Sequence, residues 1–139
     1  MTTHPLVSTF YARVWNAGER AALDDLVTED FRFQGSLGAA VIGRDAFWGM
    51  VSFVRGALSD YHCTIVDCVT EGDRAFARMR FAGTHTGAFR GVEPSGRRVE
   101  WQGAALFDFT GERISELWVL SDTAALDAAL RGDQASSAK

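Results

Sequence analysis

The period of the hydrophobic pattern changes near Tyr61, and this change limits the possible folds more than any other feature of the chain. Before this residue, apolar side chains recur at the three- and four-residue spacing of helix faces; after it, apolar and polar residues alternate, as in strands with one buried face. The first half predicts a helix over 6–15 that stops at Gly18, a short helix over 19–27, a brief strand in FRFQG and a helix over GRDAFWGMVSFVRGAL. Helices followed by long strands indicate an α+β domain.

The alternating half predicts two antiparallel hairpins. The first has its turn at EGD, residues 71–73, and the second has its turn at TGER, residues 110–113. A short alanine-rich helix over 123–130 ends the domain. We therefore expect one domain over 1–132, with a curved, mixed or antiparallel sheet wrapped over the N-terminal helices, and a flexible C-terminal tail over 133–139.

Composition and charge exclude several classes of function. The chain has 139 residues, of which 47% are hydrophobic, so one packed core is expected. Its net charge of -4 and the lack of a basic run argue against nucleic-acid binding. No apolar run approaches the roughly 20 residues of a membrane span, and no basic segment followed by an apolar one begins the chain. We expect a soluble cytoplasmic protein with no membrane or nucleic-acid partner.

The cysteines and histidines indicate neither a disulfide nor a metal site. Cys63 and Cys68 lie on one predicted strand and are expected on opposite faces, about 16 Å apart, which is beyond disulfide reach. His4, His62 and His85 share no spacing typical of metal ligands. We expect reduced cysteines and no metal.

Polar residues on the predicted inner face of the sheet are the first candidates for a site. A sheet curved over helices leaves one open mouth, where pockets tend to form. His85, in the bend GTHTG, shares the parity of the apolar residues before it. Glu116, Trp118 and Asp122 share the parity of Ile114, so all three are expected to point inward. A carboxyl group in such an interior has a raised pKa through desolvation, which suits general acid or base catalysis.

The segments EGDRAFARMRFAGTHTGAFRG, PSGRRV and GERISELWVLSD resemble the SnoaL-like polyketide cyclases of the nuclear transport factor 2-like superfamily. The resemblance covers nearly the whole chain. It implies a cone-shaped α+β barrel, a homodimer formed through the outer sheet face, and closure of a polyketide ring by an intramolecular aldol step without metal or cofactor. Asp122 matches the catalytic aspartate within the pattern E-x-W-x-x-x-D, and His85 matches the histidine of a G-T-H signature.

If the resemblance extends to the chemistry, Asp122 is the general acid and base and His85 a second catalytic residue. The substrate is then a small hydrophobic carbonyl compound of secondary metabolism. Tyr11 would donate a hydrogen bond to the developing enolate, and aromatic walls would hold a flat substrate. The predicted substrate-binding residues are Tyr11, Trp101, Trp118, Glu116, Gln102, Phe33 and Met50.

Other interpretations of the same residues remain open. The strand WQGAALFDF has Gln102 as its only amide and lacks the histidine found there in the cyclases. The superfamily also holds isomerases, epoxide hydrolases, hydroxylase-like relatives and noncatalytic members, although no predicted strand here has the R-x-D pattern of the limonene epoxide hydrolases. Asp122 could cap the last helix, and His85 could bond to the backbone of its bend. The alternative function is a noncatalytic module that binds a ligand or dimerises, or a hydrolase or hydroxylase-like relative that uses the same pocket.

Overall fold

The helices of the first half form where the hydrophobic period predicts them. In a computed structural model, which describes residues 2–38 and 40–133, the helices are α1 (Pro5–Thr9), a π-helical continuation π1 (Phe10–Asn16), α2 (Arg20–Leu26), α3 (Arg44–Ala57) and α4 (Thr123–Arg131). Pro5 begins α1 at a position that needs no N–H donor, and His4 Nδ1 accepts the Leu6 N–H at 3.1 Å. The wider π turn is marked by the bond from the Ala17 N–H to the Ala12 carbonyl.

The strands form one curled, open sheet. They are β1 (Val27–Gln34), β2 (Val41–Ile42), β3 (Leu58–Glu71), β4 (Arg74–His85), β5 (Arg98–Thr110) and β6 (Arg113–Ser121). Their order is β2-β1-β6-β5-β4-β3, with β1 and β6 parallel and all other neighbours antiparallel. The two predicted hairpins, β3–β4 and β5–β6, are confirmed, as is the α+β class. The two-residue strand β2 was not predicted.

The core fills the concave side of the sheet. Phe10 from π1 packs against Phe47 of α3 and Phe107 of β5, with ring centroids 5.9 and 6.0 Å apart. All three side chains are fully buried. Aromatic rings packed at these distances stabilise the core beyond the area that they bury, and they fix π1 against the sheet.

Two side chains connect the end of π1 to its surroundings. The Arg55 guanidinium donates to the carbonyls of Trp15 (2.6 Å) and Asn16 (3.0 Å). These carbonyls lie at the end of the helix, where no intrahelical N–H is available to them. The Asn16 side chain accepts the Cys63 N–H at 2.7 Å and donates to the Cys63 carbonyl at 3.1 Å. Cys63 lies on β3, the last strand of the sheet, so Asn16 supplies the partners that a further strand would otherwise provide.

A β-bulge in β6 overturns one set of predicted orientations. Asp108 pairs with Glu116 and Phe109 with Ile114, so Ser115 is an extra residue. Beyond Ser115, the buried residues of β6 stand at odd instead of even positions. Leu117 is buried, whereas Glu116 is exposed and Trp118 is 43% exposed. The prediction that Glu116, Trp118 and Asp122 point inward with Ile114 is therefore wrong.

The cysteine orientations were also predicted wrongly. A register shift between Ile65 and Asp67 changes the parity of β3, so Cys63 and Cys68 both face the core and both are buried. They are free thiols, as expected. Of the predicted tail 133–139, only Asp133 lies within the described residues.

Candidate functional site

An aromatic cavity opens between π1, α3 and the concave face of the sheet. Its volume is about 40 Å³, room for two or three water molecules at roughly 15 Å³ each. Four predicted substrate-binding residues, Tyr11, Trp101, Phe33 and Met50, contribute to its wall. The other lining residues are Trp15, Gly35, Ser36, Leu37, Val54, Tyr61, Phe81, Leu117, Val119 and Ser121. The cavity is thus small and mostly apolar, with two serines among its lining residues.

Three stacked rings from neighbouring strands form one wall of the cavity. Tyr61 and Phe81 lie 6.5 Å apart with planes at 27°, and Phe81 and Trp101 lie 5.3 Å apart at 28°. Phe81 and Trp101 are register partners on β4 and β5. Gly103 makes room for this stack, because a Cβ at that position would lie 2.7 Å from Phe81 Cε2 and 2.9 Å from the Leu120 carbonyl oxygen.

The two tyrosines in the cavity wall are held in their neutral form. Burial raises the pKa of the Tyr11 phenol well above its usual value, and the neighbouring groups Cys63 and Tyr61 raise it further. Burial likewise raises the pKa of Tyr61, with a further rise from Cys63 and an opposing effect from Arg55. Burial also raises the pKa of the Cys63 thiol. At neutral pH both phenols therefore keep the proton that a hydrogen-bond donor needs.

Trp101, which also lines the cavity, carries a buried donor of its own. Its side chain is only 3% exposed, and its indole Nε1–H is buried with no acceptor among the described residues. A buried donor without a partner costs about 1–3 kcal/mol. The folded protein therefore carries the cost of this unpaired N–H at Trp101, a residue that lines the cavity.

Asp122 lies outside the cavity and caps α4. Its Oδ1 accepts the Ala125 N–H at 3.0 Å, and its side chain is exposed. It borders a shallow depression with Arg78, Gln102 and Ser121. The alternative interpretation, a helix N-cap, is confirmed. Ser121 lines both this depression and the aromatic cavity, so Asp122 follows directly a residue of the cavity wall.

His85 is fully buried, as its parity predicts, but it does not line the aromatic cavity. Its Nδ1 lies 3.1 Å from Ser95 Oγ, and its Nε2 is buried with no partner among the described residues. Its backbone N–H donates to the Arg97 carbonyl at 2.8 Å. His85 thus joins the end of β4 to the segment before β5.

The remaining predicted residues, Glu116, Trp118 and Gln102, lie on the outer side of the sheet. Of the described residues that line the cavity, none carries a carboxylate or an imidazole. Sequence reasoning did not propose Trp15, Tyr61 or Phe81 as site residues, although all three lie on the predicted inner faces. They differ from ordinary core residues only because all three line the same cavity.

A curled mixed sheet that encloses helices and an aromatic cavity defines the nuclear transport factor 2-like, or ketosteroid isomerase-like, class of α+β proteins. A protein of that fold from Catenulispora acidiphila is 22% identical, with a TM-score of 0.80 and coverage of 94% of this chain and 95% of that one. The sequence model of the SnoaL-like polyketide cyclases matches residues 5–130, and the chain belongs to this family. A comparison with curated proteins gives no match.

Other solved structures of similar fold include proteins provisionally assigned as cyclases and a hydroxylase. A SnoaL-like polyketide cyclase so assigned from Jannaschia sp. CCS1 is 22% identical, with a TM-score of 0.82 and coverage of 94% of this chain and 96% of that one. IdmH from Streptomyces antibioticus, assigned in the same way, is 26% identical (TM-score 0.79; 91% and 96% covered). AclR from Streptomyces galilaeus, provisionally a hydroxylase, is 23% identical (TM-score 0.78; 91% and 79% covered).

Two further surveys concern the described residues alone. No helix in this part of the chain is long and apolar enough to cross a membrane. The same residues contain no group of three or more His, Cys, Asp or Glu side chains arranged to hold a metal ion.

Proposed function

We propose that this protein is a cofactor-independent cyclase or isomerase that acts on a small hydrophobic carbonyl compound of secondary metabolism. The observation that carries the proposal is the aromatic cavity, whose wall combines stacked rings with the neutral phenols of Tyr11 and Tyr61. Apolar walls with a few hydrogen-bond donors suit a flat ligand that carries a carbonyl oxygen. Membership of the SnoaL-like family supports the same class of reaction.

In the proposed reaction, the phenols bind the carbonyl oxygen and stabilise the enolate that develops there. The Asp122 carboxylate removes a proton from a carbon next to the carbonyl. The enolate carbon then forms a bond to a second carbonyl carbon of the same molecule, and the resulting alkoxide takes the proton back from Asp122. Atoms and electrons balance without a co-reactant, so the product is an isomer of the substrate.

Asp122 reaches the substrate, in this proposal, from the rim of the cavity. Its helix cap occupies Oδ1, which leaves Oδ2 for the proton. Ser121, which lines both the cavity and the depression beside Asp122, marks the path between them. A substrate larger than the 40 Å³ cavity would extend beyond it, in this proposal towards the rim beside Asp122.

A second candidate function, ligand binding without catalysis, is favoured by the position of the same carboxylate. Asp122 is exposed and already serves as a helix cap, and the described cavity residues offer no other carboxylate or imidazole. In this case the cavity would hold the same class of ligand without proton transfer.

Deuterium exchange separates the two functions without knowledge of the natural substrate. The probe is 2-tetralone, a flat bicyclic ketone whose α-protons exchange with D₂O and are followed by NMR. The enzyme should accelerate this exchange, and Asp122→Asn should reduce the acceleration by about 10²-fold or more while retaining the Kd for the ketone. Asparagine is also a good N-cap, so the helix is preserved.

Three results are informative in this experiment. Accelerated exchange that Asp122→Asn abolishes supports the enzyme with Asp122 as base. Equal exchange rates in wild type and variant contradict the role of Asp122. Binding of the ketone with no accelerated exchange in the wild type supports the noncatalytic alternative.

We also propose that the protein forms a homodimer through the outer face of its sheet. Val69, Phe76, Leu106 and Trp118 are register partners on β3, β4, β5 and β6, and they form one apolar row on this face. Val69 is 58% exposed and Phe76 44% exposed. An exposed apolar row of this kind is typical of a protein contact surface, and a second copy presents the same row.

A further inference from the structure

We propose that the indole N–H of Trp101 is a ligand-binding donor that selects a carbonyl compound over a hydrocarbon of the same shape. The inference rests on the proposed function, because it assigns a specific contact within the same cavity. It gives Trp101 a polar role, in addition to the stacking expected from its ring.

The first observation is the unpaired donor. Trp101 lines the cavity, and its Nε1–H is buried with no acceptor among the described residues. Native proteins pair nearly all of their buried polar groups, so each exception requires an explanation. A ligand oxygen in the adjoining cavity provides one.

The second observation is the fixed plane of the indole. Phe81 stacks on Trp101 at 5.3 Å and 28°, and Gly103 leaves the space that the Phe81 ring requires. One face of the indole is thereby covered, and the direction of its N–H is set by packing. A donor whose direction is fixed before binding needs little reorganisation when charge develops on the ligand oxygen.

The third observation is the chemistry of the group. An indole nitrogen only donates, whereas a phenol both donates and accepts and turns about its C–O bond. Tyr11 and Tyr61 can therefore satisfy several kinds of polar ligand. Trp101 can be satisfied only by an acceptor, and a ketone oxygen that becomes an enolate oxygen is an acceptor that strengthens during the reaction.

The test is a binding cycle with two probes of matched shape, 2-tetralone and its hydrocarbon counterpart tetralin. Kd values are measured for the wild type, for Trp101→Phe and for Phe33→Leu, which trims an apolar ring of the same cavity wall without removing a donor. Trp101→Phe should weaken ketone binding about tenfold more than tetralin binding, the size of one hydrogen bond. Phe33→Leu should weaken both probes equally.

The indole N–H also gives a direct signal in the unmodified protein. The four tryptophans give four indole ¹H–¹⁵N cross-peaks, and the spectrum of Trp101→Phe identifies the one that belongs to Trp101. That peak should move downfield on addition of 2-tetralone and should show no such downfield shift with tetralin. This titration tests the contact even if the variant is too unstable for binding measurements.

The outcomes distinguish this inference from the proposed function. If Trp101→Phe weakens both probes equally and the Trp101 peak does not respond to the ketone, Trp101 only packs and the inference is wrong. The proposed function survives that result if Tyr11→Phe reduces ketone binding selectively. If the wild type does not bind 2-tetralone at all, both the proposed carbonyl ligand and the Trp101 contact are overturned.

Discussion

Removal of the Asp122 side chain should destabilise the protein to an extent that the cap geometry predicts. Asp122→Ala removes the bond from the Ala125 N–H to Oδ1, 3.0 Å long, at the start of α4. It also removes a negative charge from the positive end of the helix dipole. Because Leu126, Ala129 and Leu130 of α4 are buried in the core, fraying of the first turn would loosen this packing.

The size of the effect follows from these two losses. Replacement of an N-cap aspartate by alanine costs about 1 kcal/mol, and the lost charge adds a few tenths at an exposed site. We expect the free energy of unfolding to fall by about 1–1.5 kcal/mol. For a domain of this length, that change lowers Tm by roughly 3–5 °C.

Thermal and urea denaturation, followed by circular dichroism, measure this change. Asp122→Asn is the matched control, because asparagine caps a helix about as well as aspartate and should stay within about 0.5 kcal/mol of wild type. If alanine is as stable as wild type, the cap does not contribute and the reasoning fails. A stable asparagine variant that no longer accelerates exchange would assign the cap and the proton transfer to one carboxylate.

Three further predictions concern the cavity, the outer sheet face and the sheet edge. Phenols of the unfolded chain titrate near pH 10, whereas burial raises the pKa of Tyr11 and Tyr61 in the folded protein. The free energy of unfolding should therefore be constant below about pH 10 and decrease above it. In urea denaturation, Tyr61→Phe should make this decrease smaller. Trp118→Lys should convert the proposed homodimer to monomers in sedimentation experiments, and an unchanged dimer would contradict the outer-face contact. Asn16→Ala should lower the free energy of unfolding by about 1–3 kcal/mol in urea denaturation, because the Cys63 N–H and carbonyl lose their partner. Asn16→Asp should also destabilise the protein, because it keeps the acceptor but places a carboxylate oxygen against the Cys63 carbonyl.

The hydrophobic period sufficed to predict the order of helices and hairpins, because each long element buries one face. It failed where one extra residue changes the parity of a strand. Ser115 bulges out of the β5–β6 ladder and donates to the Asp108 carbonyl at 3.2 Å. Nothing in ISELWVLSD distinguishes this arrangement from regular alternation, because four consecutive residues, 117–120, are apolar on both faces.

The candidate site was harder to predict for a different reason. Tyr11, Tyr61 and Trp101 come from three distant segments, and these residues line one cavity only because of the curvature of the sheet. Each is also a normal core residue by its pattern. The residues with the strongest family pattern, Asp122 and His85, lie outside that cavity wall, one as a helix cap and the other buried against Ser95.

The contact between Asn16 and Cys63 also affects how copies of this protein can associate. The outer strand of a sheet exposes N–H and carbonyl groups that can recruit a strand from another chain, the first step towards fibrous aggregates. On β3 the Asn16 amide occupies these groups at Cys63, two register shifts interrupt the strand, and the opposite edge ends in a strand of two residues. We expect these features to hinder growth of the sheet from edge to edge, whereas the homodimer contact proposed on the sheet face would close after two copies.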